Sequence, residues 1–378
     1  MKAFKTVLII VAVIILLPLL GLLGWFLKKG QPMEVVVINK SMLDFKGSEN
    51  KAINWVLNDQ KVFTSGNRRY NMKVDYYGYH KMKDDYRIRY PRLKELDRMT
   101  EKSDFVYFAD VTGISKAHQN ANPGSNTNNL EYGGLNHTDY VFCKKLIQRG
   151  KPLVVECNFF GPPTEPLVRY NIEQLTDVYY AGWMGKYVRD LSKPISKKEE
   201  IDWKKAYEVY AGKPWDFSGK GLIFINRENN RVVVLREGED IQTKEGFIVT
   251  LEEGMEKFGL PEKANFTGWF TLVHPGKNKV IANFHLNPTE TGVAKLQQNG
   301  LPHDFPAIIQ PGEQFYFLTG DFGKSKVNLV LSRTLFFNKI IAILKRNGSN
   351  PSNFFYSYYQ PFMDHVISET RNQSEEPE

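Results

Sequence analysis

The sequence predicts an α/β protein with a parallel sheet sandwich, a β-rich insertion or second domain, and one N-terminal transmembrane helix. Three observations lead to this fold class. The chain of 378 residues begins with a long apolar run. Short β-branched segments then alternate with amphipathic ones, which favours a parallel sheet. From about residue 215 onward, closely spaced strand-like segments are separated by turn residues, which favours antiparallel pairing.

The apolar run starts at Val7 and ends at Leu27. About 20 apolar residues suffice to cross a bilayer as a helix. We therefore expect a transmembrane helix over residues 6–27, between a short tail (1–5) and a linker (28–33). A cleaved signal peptide is the alternative, but its apolar core would span about 7–15 residues before a small-residue cleavage site. This run is longer and ends in Trp-Phe-Leu-Lys-Lys, so an uncleaved anchor is favoured.

The run thus predicts a single-pass protein of the cell membrane. A short basic tail before a long apolar segment favours a large domain outside the cytoplasm. Two lysines flank each end of the run: Lys2 and Lys5 precede it, and Lys28 and Lys29 follow it. The distribution of positive charge therefore leaves both membrane orientations open.

Residues 34–195 are expected to form the α/β domain. The expected strands are the segments 34–39 (EVVVIN), 73–77 (KVDYY), 104–109 (DFVYFA) and 151–158 (KPLVVECN). Three helices are expected. The first follows Ser48, its candidate N-cap, and buries Ala52, Ile53, Val56 and Leu57. The second covers residues 139–148, and the third covers residues 166–175 with Thr164 as its candidate cap. This alternation predicts parallel strands with helices on both faces.

Residues 215–320 form the expected β-rich section. Its expected strands are the segments 221–226, 231–235, 246–251, 268–273 and 279–286. A helical section, 321–370, follows, with one helix capped by Ser332 and another that starts near Pro361. Residues 371–378 are polar and acidic, and we expect a disordered tail there.

The formal net charge is +8, and part of it is concentrated between Lys61 and Lys102. That segment holds 12 Lys and Arg against 6 Asp and Glu, interleaved with six tyrosines. Such a surface could attract anionic lipid headgroups or an anionic glycan. The alternative is a solvated face with half-buried tyrosines. Nucleic acid is not an expected partner, because no binding motif occurs.

Polar residues close three of the expected strands. They are Asp110, the pair Glu156 and Asn158, and Asp321. Because ligands of open parallel sheets bind at the carboxyl ends of the strands, we expect these side chains to meet at one crevice. Neighbouring carboxylates can serve acid–base chemistry or hold a cation. They can equally cap loops by accepting backbone N–H groups.

Cys157 is a doubtful nucleophile. The thiol ends a strand, as in a nucleophile elbow, but an elbow needs small residues around the nucleophile. Here Glu156 precedes Cys157, and Phe159 follows closely. Only one other cysteine, Cys143, is present, so no disulfide framework is expected and both read as buried thiols. The long loop 111–135 is a candidate lid or partner-binding loop, with disorder at its tip as the alternative, and it holds no phosphate-loop motif. No metal or cofactor is expected.

The strings DFVYFADVTGI, EYGGLNHTDY, GKPLVVECNFFGPPT and YFLTGDF resemble class I glutamine amidotransferase-like domains, and most closely the membrane-anchored, largely uncharacterised bacterial members. The resemblance covers residues 34 to about 190 and the return near 315–325. It implies a flavodoxin-like α/β sandwich. In active members the nucleophile is a cysteine in a Gly-x-Cys-x-Gly elbow, served by a histidine and a glutamate. Cys157 stands at that position without the glycines, so the resemblance does not imply glutaminase activity.

Two functions follow as hypotheses. The preferred one is a membrane-tethered, non-catalytic domain that binds a cell-envelope partner, such as a polysaccharide, or the machinery that makes or exports it. The alternative is a hydrolase that acts on an envelope glycan through Asp110, Glu156 and Asp321, with or without a divalent cation. The sequence leaves the ligand, the oligomeric state and any catalysis open.

Overall fold

The structure, a computed structural model, describes residues 2–42, 50–82, 86–115, 130–193, 203–242, 247–325, 327–335 and 351–375. The helices are α1 (Lys2–Leu27), α2 (Lys51–Asp59), α3 (Leu96–Lys102), α4 (His137–Gln148), α5 (Pro166–Thr176), α6 (Trp203–Ala211), α7 (Glu252–Phe258), α8 (Glu290–Gln298), α9 (Pro351–Phe354) and α10 (Gln360–Glu375). Three 3₁₀ turns cover Leu93–Glu95, Cys157–Phe159 and Leu331–Arg333, and a π-helical turn, Phe355–Tyr359, joins α9 to α10.

The strands of the first half of the chain are β1 (Gln31–Pro32), β2 (Val35–Asn39), β3 (Val62–Phe63), β4 (Tyr77–Lys81), β5 (Tyr86–Arg89), β6 (Phe105–Asp110), β7 (Ile114–Ser115), β8 (Leu130–Tyr132), β9 (Leu153–Val155) and β10 (Tyr179–Val188). Those of the second half are β11 (Gly221–Asn226), β12 (Val232–Arg236), β13 (Ile248–Thr250), β14 (Lys263–Ala264), β15 (Trp269–His274), β16 (Lys279–His285), β17 (Asp304–Gly312) and β18 (Phe315–Leu318).

One large mixed sheet organises the described residues. Its ten strands follow the order β14-β13-β16-β17-β18-β9-β6-β2-β4-β5. Strands β18, β9, β6, β2 and β4 run parallel to one another, and the strands on either side of this block pair antiparallel. The predicted parallel sheet sandwich is therefore wrong. Strands β13, β14, β16 and β17 of the expected β-rich section do not stay apart, because β18 joins them to β9 and extends the same sheet.

A second sheet packs against the first. It is antiparallel, in the order β12-β11-β10-β15. Phenylalanines fill the space between the two sheets: the ring of Phe270 on β15 lies 5.3 Å from that of Phe305 on β17 and 4.9 Å from that of Phe284 on β16. The N–H of Thr271 also donates to Thr319 O at 2.8 Å, just after β18. This contact places the second sheet beside the carboxyl ends of the parallel strands.

The helix α1 forms where the apolar run predicts one, and the structure describes its side chains at residues 5–6 and 16–27. Over the described parts of the chain, no helix is both long and apolar enough to cross a membrane. The transmembrane helix in the predicted fold class is corrected accordingly.

Some of the predicted helices, strands and caps agree with the structure, and others do not. The helix α2 buries Ala52, Ile53, Val56 and Leu57 as predicted, with Asn50 at its N-cap, whereas Ser48 lies outside the described residues. The predicted strand 73–77 is wrong: this segment turns, because the Asp75 carboxylate accepts the N–H of Asn71, and the strand starts at Tyr77.

Two predicted caps are also wrong. Thr164 does not cap α5, since its Oγ1 accepts the N–H of Leu135 and Glu165 holds the N-cap position. Ser332 lies inside a 3₁₀ turn, and residues 336–350 of the helix that it was expected to cap lie outside the described ones. Near the end of the chain, Pro361 is the second residue of α10, which continues to Glu375 through part of the expected disordered tail.

Candidate functional site

The carboxyl ends of β6 and β9 lie side by side. The two strands are parallel neighbours with Phe108 opposite Val155. Asp110 closes β6, and its Oδ1 accepts the N–H of Thr112 at 2.8 Å and the amide of Asn158 at 3.3 Å. The first bond is an Asx-type turn that holds the backbone as it leaves the strand. The structure therefore brings together two of the residues that the sequence placed at this edge.

Asp321 reaches the same edge from the segment that follows β18. Its N–H donates to Trp269 O at 2.8 Å, which holds it against β15. Burial raises the pKa of the Asp321 carboxyl to about 7; the charges of Lys324 and Lys186 oppose this shift, and Asp110 adds to it. The Oδ1 atom of Asp321 is buried and has no hydrogen-bond partner within the described residues. We call Asp110, Glu156, Cys157, Asn158 and Asp321 the strand-end cluster.

Glu156 belongs to this cluster but points into the core. Its Oε1 accepts the Tyr107 hydroxyl and the N–H of Gly323, the latter at 2.8 Å. The Tyr359 hydroxyl in turn donates to Tyr107 at 2.9 Å. Burial raises the pKa of Glu156 well above its usual range; the bonds from Tyr107 and Gly323 oppose the shift, and Asp321 and Asp110 add to it. Glu156 therefore ties the sheet to the π-helical turn at the C-terminus.

The thiol of Cys157 is buried beneath the strand ends. Cys157 is 1% exposed and opens the 3₁₀ turn after β9. Burial raises the pKa of its thiol well above the usual range, and Asp321, Asp110 and Glu156 raise it further. Since the thiolate is the nucleophile, burial and neighbouring carboxylates both work against a nucleophilic role for this thiol. The turn also lacks the strain of a nucleophile elbow, because Cys157 is not among the described residues with a positive φ.

Aromatic and basic side chains that the sequence analysis missed adjoin the cluster. Lys186 of β10 places its Nζ 4.8 Å from the ring centre of Trp269 on β15. The half-buried Trp269 ring stacks on Trp203 at 4.9 Å. The hydroxyl of the half-buried Tyr180 lies beside Gly161, in the turn that follows Cys157. Only the aromatic content of residues 179–187 (YYAGWMGKY) could have indicated these residues.

The described residues contain no group of three or more His, Cys, Asp or Glu side chains placed to hold a metal ion. The divalent cation of the alternative hypothesis thus gains no support from this part of the chain. Of the candidate lid, residues 116–129 lie outside the described ones. Its two ends pair as the hairpin β7–β8, and the N–H of Gly113 donates to Ser41 Oγ at 2.8 Å.

A buried ion pair, also missed, lies at the neighbouring strand end. Lys40 follows β2 and is fully buried, and its Nζ donates to Asp139 Oδ2 and to Gly134 O, both at 2.7 Å. The Tyr90 hydroxyl donates to the other oxygen of Asp139. Burial raises the pKa of Asp139, while Lys40 and the N–H of Asn136 oppose the shift. This pair fixes the N-terminus of α4 to the sheet.

The basic, tyrosine-rich segment forms the outer edge of the large sheet. Residues 86–89 of β5 are exposed, and the ring of Tyr86 stacks on Tyr79 at 5.2 Å. Tyr70, Tyr76 and Tyr79 are buried. The segment therefore combines an exposed basic strand with inward-facing tyrosines.

Comparison of the chain with models of known protein families and with curated proteins gives no match in either case. The resemblance to amidotransferase-like domains stays a prediction.

Proposed function

We propose that this protein is a non-catalytic, amidotransferase-like protein of the cell envelope that binds a polysaccharide at the strand-end cluster. The observation that carries the proposal is a division within the cluster. Glu156 and Cys157 are buried, and Tyr107 and Gly323 engage the Glu156 carboxylate in the core. Asp110, Asn158 and Asp321 remain only partly buried.

The partly buried groups suit a sugar. Carboxylate and amide side chains can accept from and donate to neighbouring hydroxyls, and aromatic rings offer apolar faces to the C–H groups of a sugar ring. Two half-buried aromatic residues adjoin these groups: the backbone oxygen of Trp269 accepts the N–H of Asp321, and the Tyr180 hydroxyl lies beside Gly161, four residues after Cys157. Lys186 and Lys324 place positive charge next to Asp321, which suits anionic as well as neutral sugars. A protein of the synthesis or export machinery is the other partner that the hypothesis allows.

One observation favours hydrolysis as a second candidate function. With a pKa raised to about 7, Asp321 could donate a proton at neutral pH, as a general acid must. Asp110 would then be the second carboxylate. Glu156, which the sequence analysis included, is removed from this role because Tyr107 and Gly323 occupy it.

The test is a glycan-array screen of the full chain, followed by calorimetry with the glycan that binds best. We expect Asp110→Asn and Asp321→Asn to weaken binding at least about tenfold, since each charge-assisted bond contributes about 1.5–3 kcal/mol. Asp304→Asn, an exposed carboxylate on β17, is the matched control and should bind normally.

Absence of binding to any glycan, or equal affinity of the three variants, would contradict the proposal. Release of new reducing ends from the bound glycan by the wild type, abolished in Asp321→Asn, would favour the hydrolase instead.

A further inference from the structure

The carboxyl end of α1 is fixed to the folded body of the protein. Trp25 is fully buried, and its indole Nε1 donates to Asn58 O at 3.0 Å, near the end of α2. The N–H of Leu335 donates to Gly21 O at 3.0 Å. Lys61 Nζ donates to Phe26 O, one of the last carbonyls of α1, at 2.8 Å. The last turns of α1 therefore have a defined place on the protein surface.

The remaining apolar side chains around these turns face outward. They are between 44% and 78% exposed and comprise Leu16, Leu17, Leu19, Leu20, Leu23, Phe26 and Leu27. An exposed apolar surface of this extent marks a contact with a partner or a lipid phase. A polar glycan would not cover it.

Several basic side chains lie at the same end of the helix, on the side of Trp25. We call Lys29, Lys61, Arg69 and Arg333 the basic collar. Lys61 Nζ lies 5.1 Å and Arg69 Cζ 4.8 Å from the ring centre of Trp25. Arg333 belongs to the same region, because it lies two residues before Leu335, whose N–H is bonded to Gly21 O, and its positive charge adds to the effect of burial in lowering the pKa of Arg69. Neither of them forms an ion pair with any described residue.

We infer that the basic collar binds the headgroups of an anionic lipid surface while the exposed leucines of α1 enter its apolar layer. Apolar residues followed by Lys and Arg are the arrangement that a membrane interface favours. Guanidinium groups without a carboxylate partner suit phosphate, which they can bind in a bidentate manner. The occupant is thus a phospholipid surface, and this surface is separate from the strand-end cluster.

The test adds the full chain to vesicles of phosphatidylcholine, with and without phosphatidylglycerol, and measures co-sedimentation. We expect the wild type to prefer the anionic vesicles, and salt to reduce this preference. In Arg69→Ala/Arg333→Ala the preference should fall about 10- to 30-fold, since each basic residue near the surface contributes about 1 kcal/mol. Arg69→Lys/Arg333→Lys, which keeps the charges, should retain most of it.

The matched control is Lys213→Ala/Lys220→Ala, which removes two exposed charges elsewhere. Equal loss in this control, or undiminished binding of Arg69→Ala/Arg333→Ala, would overturn the inference. If the loss of Arg69 disturbs the packing on Trp25, a second variant tests the inference. Arg333 is exposed, and Arg333→Glu alone must lower binding to anionic vesicles. Glycan binding without lipid should be the same in all these variants, which separates this inference from the proposed function.

Discussion

Replacing Lys40 with methionine should destabilise the protein strongly, because Lys40 is the charge partner of a carboxylate that water does not reach. The side chains of Lys40 and Asp139 are 1% and 0% exposed, and their charged atoms lie 2.7 Å apart. Methionine fills a similar space but removes the positive charge and the bonds to Asp139 and Gly134. Removing one partner of a buried ion pair costs about 3–5 kcal/mol.

The assay is urea denaturation followed by circular dichroism, with Lys145→Met as the matched control. Lys145 Nζ also lies 2.7 Å from a carboxylate, that of Asp97, but both side chains are partly exposed to solvent. Such surface pairs contribute about 0–1 kcal/mol. Both variants remove a lysine charge 2.7 Å from a carboxylate. The difference between them reflects the burial of the Lys40 pair, the lost bond to Gly134 O and the Arg149 guanidinium that remains beside Asp97.

A double variant completes the argument. Asp139→Asn in the Lys40→Met background removes the unpaired charge while an amide oxygen can still accept the N–H of Asn136. We expect the double variant to be more stable than the sum of the single effects, with a coupling of about 1–3 kcal/mol. A cost of Lys40→Met equal to that of Lys145→Met, or strict additivity, would refute the reasoning.

Three further predictions concern the strand-end cluster. The pKa of Asp321 is raised to about 7, so the folded state keeps a proton that the unfolded state loses. The free energy of unfolding of the wild type, measured by urea titration, should therefore fall on the order of 2–4 kcal/mol between pH 4 and pH 7. In Asp321→Asn it should fall less over the same range. Cys157→Ser should keep glycan affinity and lose about 1–3 kcal/mol of stability; lost affinity at full stability would contradict this. Measured by thermal denaturation, Glu156→Ala should lower the free energy of unfolding by about 2–4 kcal/mol. Glu156→Gln should lower it less, because only alanine leaves the Tyr107 hydroxyl and the Gly323 N–H without an acceptor.

The parallel block of the sheet could be predicted from sequence because its strands carry strong local patterns. Strands β2, β6 and β9 are short apolar runs buried on both faces, which is typical of parallel strands. Because these strands run parallel, their carboxyl ends meet at one edge of the sheet. The return of the chain through β18 beside β9 follows the same rule, so Asp321 joins Asp110 at that edge.

The mixed sheet and β10 could not be predicted in the same way. Whether β13 and β16 extend the first sheet or build a separate one depends on pairing between distant segments, which leaves no local pattern. The alternation of inward and outward side chains along β10 is interrupted. Its pairing with β15 shifts register between Tyr180 and Met184, and Gly182, within this stretch, adopts a φ of +81°. A bulge of this kind reverses the alternation of inward and outward side chains.

Lys40 and Glu156 illustrate a limit of a different kind. A lysine after a strand is expected to be solvated, and only a partner 99 residues away allows Lys40 to be buried. Glu156 ends an apolar strand, as a ligand-binding carboxylate would. The chain of hydroxyls that holds it inward ends at Tyr359, which lies 252 residues beyond Tyr107. The sequence therefore predicts which residues meet at the edge, but not which of them face solvent.

The inward position of Glu156 connects the architecture of the protein with its proposed function. Tyr107 and Gly323 can bind Glu156 only because the turn after β9 directs that carboxylate into the core, and the same turn buries Cys157. A nucleophile elbow at this position would expose the thiol and leave the π-helical turn without its anchor. The burial of the Cys157 thiol and the docking of the C-terminal helix are thus two results of one backbone path. Any chemistry at this edge then rests on Asp110 and Asp321, which are the two carboxylates that the proposed variants replace.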